Sequence, residues 1–280
     1  MQIVEKKILA DNSGIRIIRL KVEAREIALK ARPGEFVVLM ASPKGERVPL
    51  TVVDADKEAG LVTLIFQEAG LTTRLLGKLN TGDSLYALVG PLGHATEIKN
   101  YGKVILIGGG VGIAEIYPVA RAFKAAGNYC TCIVGSRTKE LLILEKELKD
   151  CSDELYITTD DGSYGRKGFV TDVLKELLTP NSQLPTPNLV YAVGPIPMMQ
   201  RVALVAKDFK IKTIVSLNAL MVDGTGMCGC CRVTVGQEVK FSCVDGPEFD
   251  ARAVDWEELI KRNRVYLDKE KHICNLNNIK

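Results

Sequence analysis

The rhythm of hydrophobic and polar positions changes partway along the chain. Up to about residue 96, apolar residues come in short β-branched runs. These are Ile15-Arg16-Ile17-Ile18-Arg19-Leu20, Phe36-Val37-Val38-Leu39-Met40, Thr51-Val52-Val53 and Leu61-Val62-Thr63-Leu64-Ile65-Phe66. Turn chemistry such as Arg32-Pro33-Gly34 and Ala59-Gly60 separates them, so they read as strands. Several short strands at this spacing predict a small antiparallel β-barrel, with one helix over 72–79. From Val104 the pattern becomes strand–helix alternation. Val104-Ile105-Leu106-Ile107, Cys132-Ile133-Val134, Leu155-Tyr156-Ile157, Leu189-Val190-Tyr191-Ala192-Val193 and Thr213-Ile214-Val215 leave room for helices between them, the first over 114–126. Uniformly apolar strands with helical crossovers predict a parallel α/β sheet covered on both faces. Pro195 and Pro197 open one helix, where a missing N–H costs little. The segment 181–187 reads as a surface loop. Three segments follow: a β-barrel domain over 1–96, an α/β domain over 97–217 and a cysteine-rich segment with a C-terminal helix over 218–280.

Composition narrows the chemistry. Over 280 residues, 46% are hydrophobic and 25% charged, as in ordinary globular proteins. A net charge of +3 argues against a nucleic-acid partner. No apolar run reaches the roughly 18 residues of a membrane span. The opening MQIVEKKILADNSG lacks the apolar stretch of a signal peptide, so a cytoplasmic chain is expected. Only two histidines, His94 and His272, stand against a His-rich metal site and a His-based hydrolase. Eight cysteines in a reducing compartment are better read as ligands than as disulfides.

Gly108-Gly109-Gly110-Val111-Gly112 falls between a strand and a helix. There glycine lets backbone N–H groups approach a pyrophosphate, which the helix N-terminus stabilises. The standard dinucleotide fingerprint is not met: Ile113 stands where a third glycine belongs. The second strand ends in Gly135-Ser136-Arg137 rather than in the carboxylate that binds an NAD ribose. Two further strand ends, Asp160-Asp161-Gly162-Ser163 and Gly194-Pro195, are rich in glycine and small polar residues. Ligands of open parallel sheets bind at such carboxyl ends, which makes this a nucleotide site. NADP(H) stays open beside NAD(H), because Ser136 and Arg137 suit a 2′-phosphate.

Cys228-Gly229-Cys230-Cys231 with the later Cys243 carries the strongest signal. Plant-type 2Fe–2S proteins use C-x4-C-x2-C and a distant fourth cysteine. Cys228, Cys231 and Cys243 meet three of those positions, and Asp223 stands at the first. Cys230 is the internal rival to Asp223 as fourth ligand. Structural zinc also favours C-x2-C, but a second such pair is missing here. Cys130, Cys132, Cys151 and Cys274 lie outside this pattern.

With these motifs in view, the chain resembles the ferredoxin reductase-like flavoproteins, specifically the electron-transfer subunits of dihydroorotate dehydrogenase and their relatives. The resemblance runs over residues 1 to about 270. It implies an FAD strand at Arg47-Val48-Pro49-Leu50-Thr51, with Arg47 on phosphate and Thr51 near the reactive nitrogen. It implies further flavin contacts from Ile65-Phe66-Gln67 and from Gly70, Thr72 and Thr73, and a barrel-closing turn at Gly90-Pro91-Leu92-Gly93. The family usually has cysteine where Val193 precedes Gly194. Orotate-pathway subunits place cysteine at the first cluster position. Asp223, with the 255–264 stretch, looks instead like the small subunit of the electron-bifurcating NADH-dependent ferredoxin:NADP⁺ oxidoreductase. The implied activity is hydride transfer between NAD(H) and FAD, then single-electron exit through the cluster. The implied acceptor is a larger flavin- and iron–sulfur-bearing partner subunit, with ferredoxin served through the complex. No side-chain acid or base is required. The alternatives are an orotate-pathway subunit, a self-contained reductase of free ferredoxin, and a zinc-stabilised binding module without catalysis.

Overall fold

The computed structural model describes residues 1–43, 45–179 and 186–276. The predicted surface loop at 181–187 lies outside the described residues as far as 185. Contacts within the chain form two units: residues 1–94, 219–246 and 255–280 in one, and residues 95–218 and 247–254 in the other. The cysteine-rich segment therefore divides between them, where the sequence predicts a third body.

In the first unit, Ile3–Asn12, Ile15–Glu23, Leu61–Gln67 and Asp54–Asp56 form a four-stranded antiparallel sheet in that order. Val48–Thr51, Phe36–Met40 and Ala87–Leu92 form a second, three-stranded one. Ile18, Leu20, Leu64 and Phe66 of the larger sheet share one core with Val37, Leu39 and Leu88 of the smaller. Taking these apolar side chains out of water supplies the main drive for closing the sheets, about 25 cal/mol per Å². The helix predicted at 72–79 is Leu71–Lys78. Gly90 and Pro91 lie within Ala87–Leu92 rather than in a closing turn. A Cβ on Gly90 would stand 2.7 Å from Val37 Cγ1, beside a register shift in the Phe36–Met40 pairing. Close strand approach explains this glycine. The hairpin Arg232–Val235/Glu238–Phe241 also belongs to this unit, as do the helices Trp256–Asn263 and Leu267–Leu276.

The second unit is a seven-stranded sheet. Its order is Arg166–Lys167, Glu154–Thr159, Tyr129–Ser136, Lys103–Gly109, Leu189–Val193, Lys212–Ser216, Glu248–Asp250. The first six are parallel, and the last runs antiparallel beside Lys212–Ser216. All residues of Lys103–Gly109 and Leu189–Val193 are buried, as expected of central strands covered on both faces. Gly112–Ala125, Val170–Leu178 and Ile196–Asp208 are the longer crossover helices. A buried polar knot secures the seventh strand: Tyr191 Oη donates to Glu248 Oε1 at 2.7 Å, and Thr96 Oγ1 donates to the same oxygen. Burial raises the Glu248 carboxyl above its ordinary pKa despite both donors. Among the described residues, no helix is long and apolar enough to cross a membrane.

Candidate functional site

Strand order in the parallel sheet reverses between Lys103–Gly109 and Leu189–Val193, the place where an open α/β sheet forms its ligand crevice. Gly108 and Gly109 complete the first of these strands, and Gly112 begins the helix Gly112–Ala125. A Cβ on Gly112 would lie 2.6 Å from the Val193 carbonyl oxygen, so only glycine lets the helix start against the neighbouring strand. Gly110 has φ +56° and nothing within 4 Å of a Cβ position, so its backbone faces open space. The N–H groups of Val111 and Gly112 precede the first intrahelical bonds, as anion donors at a helix start must. Gly194 and Pro195 follow Leu189–Val193 on the same edge.

The adjoining strand ends are interlocked. The Asp160 and Asp161 N–H groups donate to the Ser136 and Arg137 carbonyls at 3.1 and 3.3 Å. The Lys139 N–H donates to Ser163 Oγ at 2.8 Å, and Ser163 Oγ donates to Asp161 Oδ1 at 2.7 Å. Ser163, through its hydroxyl and its N–H, holds the Asp161 carboxyl below its usual range.

In the first unit, every residue of Val48–Thr51 is half-buried, with exposed Arg47 just before it. Ile65 and Phe66 are buried, so they serve the core, while Gln67 is half-buried. Thr73 Oγ1 accepts from the Ala69 and Gly70 N–H groups at 2.9 and 3.0 Å, fixing the turn that starts Leu71–Lys78. Thr72 Oγ1 donates to Glu46 at 2.6 Å. A Cβ on Gly70 would meet nothing within 4 Å. A cation and a helix start, with the open face of Gly70 beside them, suit a diphosphate.

The cysteine segment folds as a loop and a hairpin. Arg232 pairs with Phe241, and Ser242 N–H donates to the Cys231 carbonyl, which brings Cys231 Sγ within 3.2 Å of Cys243 Sγ. Both are buried, and burial pushes the Cys243 thiol up to about 12. Asp223, half-buried, and Cys228, exposed, form a second pair: Asp223 Oδ2 accepts from the Cys228 N–H at 2.9 Å and Oδ1 from Thr225 N–H at 2.8 Å. These bonds keep the Asp223 carboxyl low. Among the described residues, no three of His, Cys, Asp and Glu gather closely enough to share one metal ion. A two-iron cluster asks for less, since each iron takes two protein ligands. The two pairs fit that arrangement. Backbone N–H groups also point to sulfur, from Cys230 to Cys228 Sγ and from Cys243 to Cys231 Sγ, each at 3.4 Å. Among the described residues, Ser242 Oγ, wholly buried, has no hydrogen-bond partner. A sulfur-rich acceptor beside it would satisfy that hydroxyl.

Cys230 is half-buried and its thiol is raised by burial. Sequence reasoning missed the helix residues that brace this loop. Arg262 donates to the Cys230 carbonyl at 2.9 Å, and Asn263 Oδ1 accepts from Leu220 N–H at 3.2 Å. A charged helix, Trp256–Asn263, that begins thirteen residues past Cys243 carried no signal of that role. At Gly224, φ +77° with a Cβ position 2.7 Å from Val38 Cγ2 requires glycine where the loop meets the Phe36–Met40 strand. Cys130 and Cys132 are core residues; burial lifts the former thiol to about 12 and the latter higher still.

Comparison with known proteins finds matches over the segments that hold the glycine-rich sheet edge and the cysteine loop. Residues 218–255 match the iron–sulfur cluster binding domain of dihydroorotate dehydrogenase B, and residues 106–203 match the oxidoreductase NAD-binding domain. A dihydroorotate dehydrogenase B (NAD(+)) electron transfer subunit homolog of Thermotoga maritima is 47% identical, covering 96% of this chain and 93% of that protein. The dihydroorotate dehydrogenase B (NAD(+)) electron transfer subunit of a Geobacillus species is 32% identical, covering 91% of this chain and 97% of that protein. A solved structure of the NADH-dependent reduced ferredoxin-NADP oxidoreductase, described for flavin-based electron bifurcation, matches with a TM-score of 0.91 and 46% identity. It covers 100% of this chain and 98% of that one.

Proposed function

We propose that this chain, which belongs to the family of dihydroorotate dehydrogenase B electron-transfer subunits, passes electrons from NADH to a larger partner subunit in an electron-bifurcating oxidoreductase. It is an oxidoreductase subunit with a ferredoxin reductase-like fold, an NAD-binding domain and an iron–sulfur binding domain. When bound, FAD would supply a hydride acceptor able to release electrons singly, and a 2Fe–2S cluster would supply one-electron carriage. The residues bind and orient. Val111 and Gly112 offer backbone N–H groups to the dinucleotide pyrophosphate, while Gly110, whose N–H donates to the Gly135 carbonyl, turns the chain beside them, and Gly108, Gly109, Gly194 and Pro195 shape the crevice. Arg47 and the Gly70–Thr73 turn hold the FAD diphosphate, while Val48, Pro49, Leu50 and Thr51, with Gln67, line the ring and the buried Ile65 and Phe66 back it from the core. Cys231 with Cys243, and Cys228 with Asp223, would hold one iron each.

The close pairing of Cys231 and Cys243 carries this proposal, because buried thiols 3.2 Å apart in a chain of free cysteines fit one iron's two protein ligands. Whole-chain likeness to the bifurcating enzyme supports that assembly. The names of the relatives support a second reading, in which the partner oxidises dihydroorotate. In either case a partner subunit belongs to the reading, as does a cytoplasmic location that keeps thiols reduced. Anaerobic purification of the chain from its source with its partner tests the choice. The first reading expects FAD, iron and ferredoxin-dependent NADP⁺ reduction. Dihydroorotate oxidation in its place selects the second, and zinc without iron overturns both.

A further inference from the structure

The hydrogen bonds that close the cysteine hairpin leave one donor over. Ser242 is 0% exposed, and among the described residues its Oγ has no hydrogen-bond partner. We propose that this hydroxyl donates to sulfur of the 2Fe–2S cluster, or of its ligands, and thereby raises the cluster's reduction potential. The inference rests on the reading that Cys231 and Cys243 hold one of the irons.

Three observations carry it. First, Ser242 is fixed against that ligand pair. Its own N–H donates to the Cys231 carbonyl at 3.0 Å, and the next N–H, of Cys243, donates to Cys231 Sγ at 3.4 Å. The two sulfurs stand 3.2 Å apart. A serine oxygen lies one carbon from the backbone, so its partner must lie close to this same stretch. Second, the neighbouring acceptors are taken. The Phe241 carbonyl receives the Val244 and Asp245 N–H groups at 3.0 and 2.7 Å, and Asp245 Oδ2 receives the Phe241 N–H at 2.6 Å. The Cys231 carbonyl receives Ser242 itself. Third, a hydroxyl buried without a bond is costly, and alanine would fill the position without that cost. The partner therefore belongs to what occupies the loop once iron is bound.

The sign of the effect follows from charge. Sulfide and thiolate sulfurs carry the negative charge of such a cluster, and reduction adds one more. A hydrogen-bond donor stabilises the reduced form more than the oxidised one, so it moves the potential upward. Backbone N–H groups already reach the sulfurs of Cys228 and Cys231, from Cys230 and Cys243. Those donors are fixed by the path of the chain, whereas the Ser242 hydroxyl can be removed alone. Its burial strengthens the effect, because a low local dielectric magnifies the pull of a dipole on charge.

Redox titration of the full chain with FAD and cluster bound, followed by electron paramagnetic resonance, tests this. Ser242→Ala is expected to keep its iron and to lose about tenfold in the one-electron reduction equilibrium, a fall of about 59 mV. Pulsed resonance after exchange into deuterium oxide should show one exchangeable coupling fewer to the reduced cluster. Ser242→Thr, which keeps the hydroxyl, should recover most of the potential, while Ser242→Val, of the same shape, should not. Iron kept by the threonine variant but lost from both alanine and valine variants also supports the proposal. An alanine variant with unchanged potential and couplings overturns it, since a buried water would then be the partner. Equal potentials for the threonine and valine variants overturn it as well. So does loss of iron from all three, because space rather than the hydroxyl would then decide. A wild-type chain without iron overturns the reading of the cysteine pair instead.

Discussion

Tyr191→Phe should loosen the parallel sheet in a pH-dependent way. The hydroxyl is buried and donates to Glu248 Oε1 at 2.7 Å, leaving Thr96 as the other donor to that oxygen. Phenylalanine fills the same space, so the loss is the hydrogen bond rather than packing. A bond to a charged, buried acceptor is worth about 2 kcal/mol. Burial raises the folded-state pKa of Glu248 above its unfolded value, about 4.3 for a free glutamate. Such a carboxyl contributes most stability below the unfolded pKa and loses it as pH rises through the folded one. Removing a donor that favours the carboxylate raises the folded pKa further, so the damage should be full at pH 7.5 and smaller near pH 4.5. Trp256 lies in the other unit, so its fluorescence does not follow this sheet. Hydrogen exchange of a peptide spanning Leu189–Val193 does. At pH 7.5 exchange should quicken roughly thirtyfold, the equivalent of about 2 kcal/mol, with a smaller ratio near pH 4.5 after correction for intrinsic rates. Less than about threefold acceleration, or the same ratio at both pH values, would refute the role given to this knot.

Arg47→Ala should release FAD on extensive dialysis, because the phosphate loses a charged partner; unchanged flavin absorbance would count against it. Gly110→Ala should leave flavin in place and weaken NADH binding about tenfold or more, since φ +56° and the open side both call for glycine. Loss of flavin there would mean that the two sites have been exchanged. For the cluster, Asp223→Ala should make iron labile while Cys230→Ala retains it, read by iron content and electron paramagnetic resonance. The opposite pattern would make Cys230 the fourth ligand and leave Asp223 as a loop-forming residue, a role its bonds to Thr225 and Cys228 already serve.

The parts legible in the sequence were those where one periodicity served one environment. Lys103–Gly109 and Leu189–Val193 are buried on both faces, and their unbroken apolar runs say so. Ile3–Asn12 was not legible. Two register shifts in its pairing and a largely exposed face scramble the alternation, leaving Ile3 and Ala10 as its buried positions. Glu248–Asp250 was hidden for a different reason: its glutamate is tolerated inside because Tyr191 and Thr96 satisfy it, and partners 57 and 152 residues away leave no local trace.

The cluster segment shows the same limit most sharply. Spacing draws attention to Cys228 and Cys231, but the structure sets Cys231 against Cys243. That pairing follows from the hairpin. Val235 opposes Glu238 across Gly236 and Gln237, and Arg232 opposes Phe241. One further step sets Cys231 beside Ser242, with Cys243 next along. A two-residue turn containing glycine, between two alternating four-residue runs, is a hairpin signal that the sequence does contain. Cysteine spacing along the chain is therefore a weaker guide than strand register, because a ligand pair is a distance in space. The loop partners, Asp223 and Cys228, answer to no register and depend on the loop's own hydrogen bonds, which is why the choice between Asp223 and Cys230 needs the substitutions rather than the spacing.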